Sequence, residues 1–138
     1  MEKLVRNKVL CHLVENGLLS PKQFGFVNGK STETQLLNFL DICADVVARG
    51  GIVDSIYFDF SKAFGTVPHK GLRVKMKAYG IEGKLLAWVE AFLTGREQMV
   101  RVNGELSISK AVISGISQGS VLGPLLFVMY INDLPDVV

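Results

Sequence analysis

The chain has two cysteines, Cys11 and Cys43, far apart and outside any CxxC or Cys/His ligand pattern. That excludes a zinc-ribbon type of site and a disulfide framework, and fits idle thiols in a reducing, intracellular compartment. No apolar run is long enough for a bilayer: the most apolar stretch, Val121 to Ile131, is broken by Gly123 and Pro124 and falls short of the ~20 residues a spanning helix needs. There is no secretory leader pattern either, because Glu2, Lys3, Arg6 and Lys8 precede any sustained apolar run. The expectation is a soluble nuclear or cytoplasmic chain, neither secreted nor bound to a membrane. Long charged or low-complexity runs are absent, which argues against disorder. So is an excess of one charge: 15 Lys+Arg stand against 13 Asp+Glu, net +2, so any basic surface must be local.

What is present is one domain's length, 138 residues, with 49% hydrophobic content, ample for a core. Leu4, Val5, Val9, Leu10, Leu13 and Val14 recur at helical spacing up to Gly17, placed as the residue just past a helix end. After a loop over 18–30, Thr32 with Gln35 predicts a capping box, and Leu36, Leu37, Leu40, Ile42 and Val46 predict a second helix ending at Gly50-Gly51. Alternation over 52–60, with Ile56, Phe58 and Phe60 on one face, predicts a buried strand. Helices are then expected from Pro68 to Gly80 and over 84–94, stopped by Gly95. Asn103-Gly104 between 99–102 and 106–113 predicts a hairpin with a type I′ turn, and 119–132 a buried helix. Helices and short strands do not strictly alternate, so the class is α+β, with a small antiparallel sheet packed by helices.

Two segments carry polar groups that such a core does not need. Asp59 lies among apolar residues at the end of the expected strand, where a carboxylate is costly unless paired; it is either a metal ligand or a turn cap partnered by Lys62. Ser117 to Ser120 places Gln118, a donor and an acceptor, beside Gly119, whose missing side chain allows close approach; the alternative is a polar loop capping the next helix. Lys70, Arg73 and Lys77 fall on one helix face, with Arg96 and Arg101 downstream, either solvated or a weak phosphate-backbone contact. Gly25 to Ser31 is not a P-loop, since three residues rather than four separate its glycines. His12 and His69 have no ligand-spaced partners and are read as structural.

Several blocks in order carry a family resemblance. Phe58-Asp59-Phe60-Ser61-Lys62-Ala63-Phe64 followed by Thr66-Val67-Pro68-His69, then Ser117-Gln118-Gly119-Ser120-Val121-Leu122-Gly123-Pro124-Leu125-Leu126-Phe127, then Tyr130-Ile131-Asn132-Asp133-Leu134-Pro135 closely resemble reverse transcriptases of non-LTR (LINE-type) retrotransposons. Gln23 to Phe26 and Gly29 to Thr32, including Lys30, look like that family's fingers segment. The resemblance implies a partial right-hand polymerase fold, with a fingers-like helical part over 1–50 and a palm-like part over 51–138. It implies that Asp59 binds catalytic Mg²⁺ with help from the Phe60 carbonyl, that Phe64 is the steric gate under the sugar, and that Gln118 and Gly119 touch the nucleotide and its template partner. RNA template, DNA primer and dNTP are the implied partners, and nucleotidyl transfer by two metal ions the implied chemistry.

Departures from the pattern qualify that reading. Gly65 stands where the family usually has Asp, Ser117 where it has Pro, and Val27 where it has Arg. The family's second metal-binding element is a hairpin with paired aspartates, yet no two acidic residues are adjacent in this chain. Met1 opens inside an amphipathic helix and Val137-Val138 closes on apolar residues, as expected of a segment cut from a longer chain, with the triphosphate-gripping residues before it and the thumb after it. The expected chain is therefore a fragment, inactive alone, truncated before the paired aspartates. The alternative is a non-catalytic nucleic-acid-binding or interaction remnant that self-associates through exposed apolar surface.

Overall fold

The computed structural model describes residues 1–136, and the chain divides into two compact units, Met1–Ser20 with Lys62–Val138, and Pro21–Ser61. The expected boundary at residue 50/51 falls inside the second unit. The closing Val137-Val138 lies outside the described residues.

In the first unit, helix α1 (Glu2–Glu15) ends as its sequence predicts. Gly17 takes φ 61°, its N–H bonds Val14 O, and the Leu18 N–H reaches Leu13 O, which satisfies carbonyls that the last turn leaves open. The short helix α3 (Ala63–Thr66) was not foreseen. Helix α4 (His69–Ala78) and helix α5 (Gly83–Leu93) follow, α4 stopping with the same paired bonds at Gly80. Four two-residue strands, β1 (Glu97–Gln98), β2 (Arg101–Val102), β3 (Glu105–Leu106) and β4 (Lys110–Ala111), form one antiparallel hairpin: β1 pairs with β4 and β2 with β3. At its tip Asn103 and Gly104 both have positive φ, 50° and 90°, as a type I′ turn requires. Every strand residue is exposed, so the helices make the core and the hairpin lies outside it.

Helix α6 (Gly123–Ile131) occupies the centre of that core, with Leu125 to Met129 all buried, and α4 packs against both α6 and α5. Val9 and Leu13 of α1, Leu72 and Met76 of α4, and Leu86 and Val89 of α5 join it in one apolar cluster. An all-round apolar helix is stable in water only when enclosed like this. It starts four residues later than expected because Gly119 sits at φ 82°, which a right-handed helix cannot accommodate. A hydrogen-bonded clasp holds its far end: buried Asn132 donates through Nδ2 to Leu18 O (2.8 Å) and the Tyr79 hydroxyl (3.1 Å) and accepts from the Ser20 N–H (2.8 Å).

The second unit departs more from expectation. Helix α2 (Thr32–Ala48) forms, but its capping box uses Ser31 and Thr34 rather than Thr32 and Gln35, each side-chain oxygen accepting from the other's backbone N–H (3.2 and 2.9 Å). No residue of the helix is buried, those of its expected apolar stripe included. The strand expected over 52–60 is absent; that stretch is irregular and mostly exposed, Phe58 at 79%. Alternation gives a strand its two faces, whereas stability needs a ladder neighbour, and no strand among the described residues pairs with 52–60. Tyr57 instead meets Phe39 of α2 edge-on, ring centroids 6.3 Å apart. Asp59 is therefore exposed rather than set in an apolar environment.

Candidate functional site

The site begins where two chain segments cross. Lys62, at φ 53°, turns the chain into α3, and Phe64 of that helix stacks on Phe127 of α6, centroids 4.7 Å apart and planes 27°. The segment entering from the hairpin lies across it: the Ile116 N–H donates to Phe64 O (2.7 Å) and the Gly115 N–H to Val67 O (2.8 Å), while His69 Nε2 donates to Gly115 O (2.7 Å). Gly115 has φ 87°, and a Cβ there would lie 2.8 Å from Gly65 O. Only glycine permits that approach.

Beyond the crossing, Ser117 to Ser120 close a turn. The Ser120 N–H and hydroxyl both donate to Ser117 O (3.3 and 2.8 Å), with Gln118 and Gly119 at its centre. The positive φ at the second central position is the signature of a type II turn. Ser120 Oγ also accepts from the Gly123 N–H (2.9 Å), leading directly into α6. Glu2 of α1 caps that entry: its Oε2 accepts from the N–H groups of Val121 (2.8 Å) and Leu122 (3.3 Å), placing a carboxylate where a helix start favours negative charge.

Phe64 and Gln118 thereby line a single open cleft of about 820 Å³, with Lys62, Arg96, Glu97 and Ser117 on its walls. That volume is in the range of small-molecule sites, roughly 300–1,000 Å³. The cleft offers an aromatic ring, an amide that donates and accepts, and two cations, while Glu97 takes the Ser109 hydroxyl (2.6 Å). A ligand with a planar or sugar portion and an anionic tail suits that set of groups.

The remaining expected residues lie elsewhere. Asp59 and Phe60 belong to the other unit. Lys30 is fastened within its own loop, Nζ donating to Pro21 O and lying 4.7 Å from the Phe24 ring centroid. Lys70, Arg73 and Lys77 are all exposed on α4, but Arg73 pairs with Glu90 (2.5 Å). Lys75, on the same helix, donates to Tyr130 O and to Asp133, whose carboxyl that hydrogen bond holds below the usual range. Both histidines are structural as read, His12 donating through Nε2 to Tyr79 O (2.7 Å). No group of three or more His, Cys, Asp or Glu side chains among the described residues could hold a metal ion. Among those residues Asp59 has no such group around it. Arg96 and Lys62 as cleft residues were missed; the available signal was the step of four from Trp88 to Phe92 to Arg96.

The elements make an α+β domain, and comparison with known proteins places it in a family. The chain belongs to the reverse transcriptase (RNA-dependent DNA polymerase) family, which it matches over residues 1–138. It is 34% identical over 137 residues to the RNA-directed DNA polymerase from mobile element jockey of Drosophila melanogaster, covering 98% of this chain. From the same organism, the probable RNA-directed DNA polymerase from transposon BS is 32% identical over 97% of the chain, and that from transposon X-element 31% over 98%. The chain spans about 15% of the length of each of these relatives. It is a reverse transcriptase segment of the retrotransposon kind. No solved structure matches it.

Proposed function

We propose that this segment supplies the nucleotide-contacting part of a retrotransposon RNA-directed DNA polymerase, with a fingers-like part over 1–50 and a palm-like part over 51–138. Its partners are an RNA template, a DNA primer and an incoming dNTP, inside the nucleus or cytoplasm. What supports the reading is that Phe64 and Gln118, far apart in sequence, line one cleft and are tied by backbone hydrogen bonds between their segments. Phe64 packs beneath the sugar and disfavours a 2′-hydroxyl. Gln118 and Gly119 contact the nucleotide and its template partner. Asp59, with the Phe60 carbonyl, contributes one ligand toward Mg²⁺ in the longer polymerase; the segment alone has no catalytic step assigned to it.

Binding is tested with a fluorescent dNTP titrated into the folded chain. Saturable binding, weakened at least about tenfold by Gln118→Ala or Phe64→Ala, is expected, since a lost contact of about 1.4 kcal/mol is tenfold in affinity. No saturation at millimolar nucleotide would overturn the cleft reading. Primer extension on an RNA template by this chain is expected to be absent, and synthesis abolished by Asp59→Ala would overturn that expectation. One observation favours the non-catalytic remnant: Leu36, Leu37 and Leu40 are more than half exposed on a helix with no buried residue. RNA binding that falls steeply with salt and survives Asp59→Ala would support it.

A further inference from the structure

Arg96 is held on two sides before it reaches the cleft. Trp88 and Phe92 of α5 stack nearly parallel, 5.7 Å apart and 9° inclined, and the Arg96 guanidinium carbon lies over the Phe92 ring, 5.4 Å from its centroid. Its backbone is pinned as well, since Arg96 O accepts from the Val112 N–H (2.8 Å) across the base of the hairpin. A guanidinium over a ring face at that distance is held there by cation–π attraction. From that position Nη1 donates to Ser117 Oγ. The carbonyl of the same serine accepts both hydrogen bonds that close the turn around Gln118. Ser117 thus joins a rigid helix-borne stack on one side to the turn on the other.

We propose that Arg96 is the positioning residue for Gln118: through Ser117 it fixes the turn that presents the Gln118 amide to the cleft. The importance of that amide rests on reading the cleft as a nucleotide site; the fastening itself does not. Proline at position 117 would hold the backbone φ covalently and would need no such fastening. In this chain a hydroxyl and a ring-held arginine perform the task.

Amide hydrogen exchange on the 138-residue chain tests this directly. The Ser120 amide, bonded to Ser117 O, reports the turn, and the Leu126 amide, bonded to Leu122 O, reports the core. Arg96→Ala and Ser117→Ala should each speed Ser120 exchange about fivefold, the effect of one charge-assisted bond at an exposed site, with Leu126 unchanged. Arg96→Lys should resemble Arg96→Ala, because an ammonium lacks the planar fork. In a Ser117→Pro background, Arg96→Ala should have no further effect. Unchanged Ser120 exchange in both alanine variants, or equal acceleration by Arg96→Ala with proline at 117, would overturn the proposal. If Arg96→Ala also loosens Leu126, Ser117→Ala, which leaves the stack intact, decides by the same criterion. Faster Ser120 exchange without any loss of nucleotide affinity would keep the positioning role and sink the cleft reading.

Discussion

Replacing Gly115 with alanine should disrupt the site more than the same change at Gly119, although both glycines have nearly the same φ. Their φ angles are 87° and 82°, so each alanine pays the left-handed penalty of about 1–2 kcal/mol. The surroundings differ. A Cβ at Gly119 meets nothing within 4 Å, whereas one at Gly115 would lie 2.8, 2.9 and 3.0 Å from the O, Cα and C atoms of Gly65. Those atoms are backbone and cannot rotate aside. Relief requires the two segments to separate by about 0.5–1 Å to regain ordinary carbon contact distances. That stretches the bonds at 2.7 and 2.8 Å from Ile116 and Gly115 to about 3.2–3.8 Å, at or past the long end of the useful range, at up to about 1 kcal/mol each. Gly115→Ala should therefore cost about 3–4 kcal/mol, and Gly119→Ala about 1–2. Urea denaturation with matched slopes measures both, and nucleotide titration of the folded fraction reports the cleft. Equal costs for the two variants would refute the crossing-segment argument.

Three further outcomes follow from particular contacts. Asn132→Ala removes the partner of the Ser20 N–H and Leu18 C=O, both part-buried, and should cost about 2 kcal/mol in urea unfolding; a cost below about 0.5 would mean that water replaces the clasp without loss. Glu2→Gln keeps an oxygen acceptor but removes the charge at the start of α6, so a loss of about 0.5–1 kcal/mol is expected, shrinking in high salt. Asp133 titrates below its ordinary range because Lys75 hydrogen-bonds it, so its contribution is present above that range and is lost as pH falls through the depressed value. Its side chain is 60% exposed, so Asp133→Asn should cost no more than about 1 kcal/mol at neutral pH, and the two proteins should converge in acid; a gap that persists at low pH contradicts the assignment.

Features set by neighbouring residues were legible in the sequence. Glycine stops at Gly17, Gly50 and Gly80 and the two positive φ values of Asn103-Gly104 follow from local backbone preferences, and all appear in the fold. The capping box slipped by one residue because Ser31 and Thr32 are both competent caps, and local rules do not choose between them. The 52–60 stretch failed for a different reason. Its alternation is a statement about faces, while a strand exists only when another strand supplies hydrogen bonds, and that second condition is nonlocal.

The same distinction governs the cleft. Nothing in the spacing of Phe64 and Gln118 requires them to meet; that expectation came from family resemblance. Their meeting depends on Gly115 lacking a side chain, which lets the hairpin's exit strap lie against Gly65 and exchange hydrogen bonds with Phe64 and Val67. The bare backbone of Gly65 faces the bare backbone of Gly115. A Cβ at Gly65 would touch only Lys62 Cβ, at 3.9 Å, so a side chain can be added there without opening the crossing. The seam therefore depends on the glycine at 115 and tolerates change at 65, which assigns the tight constraint to the segment that carries Gln118.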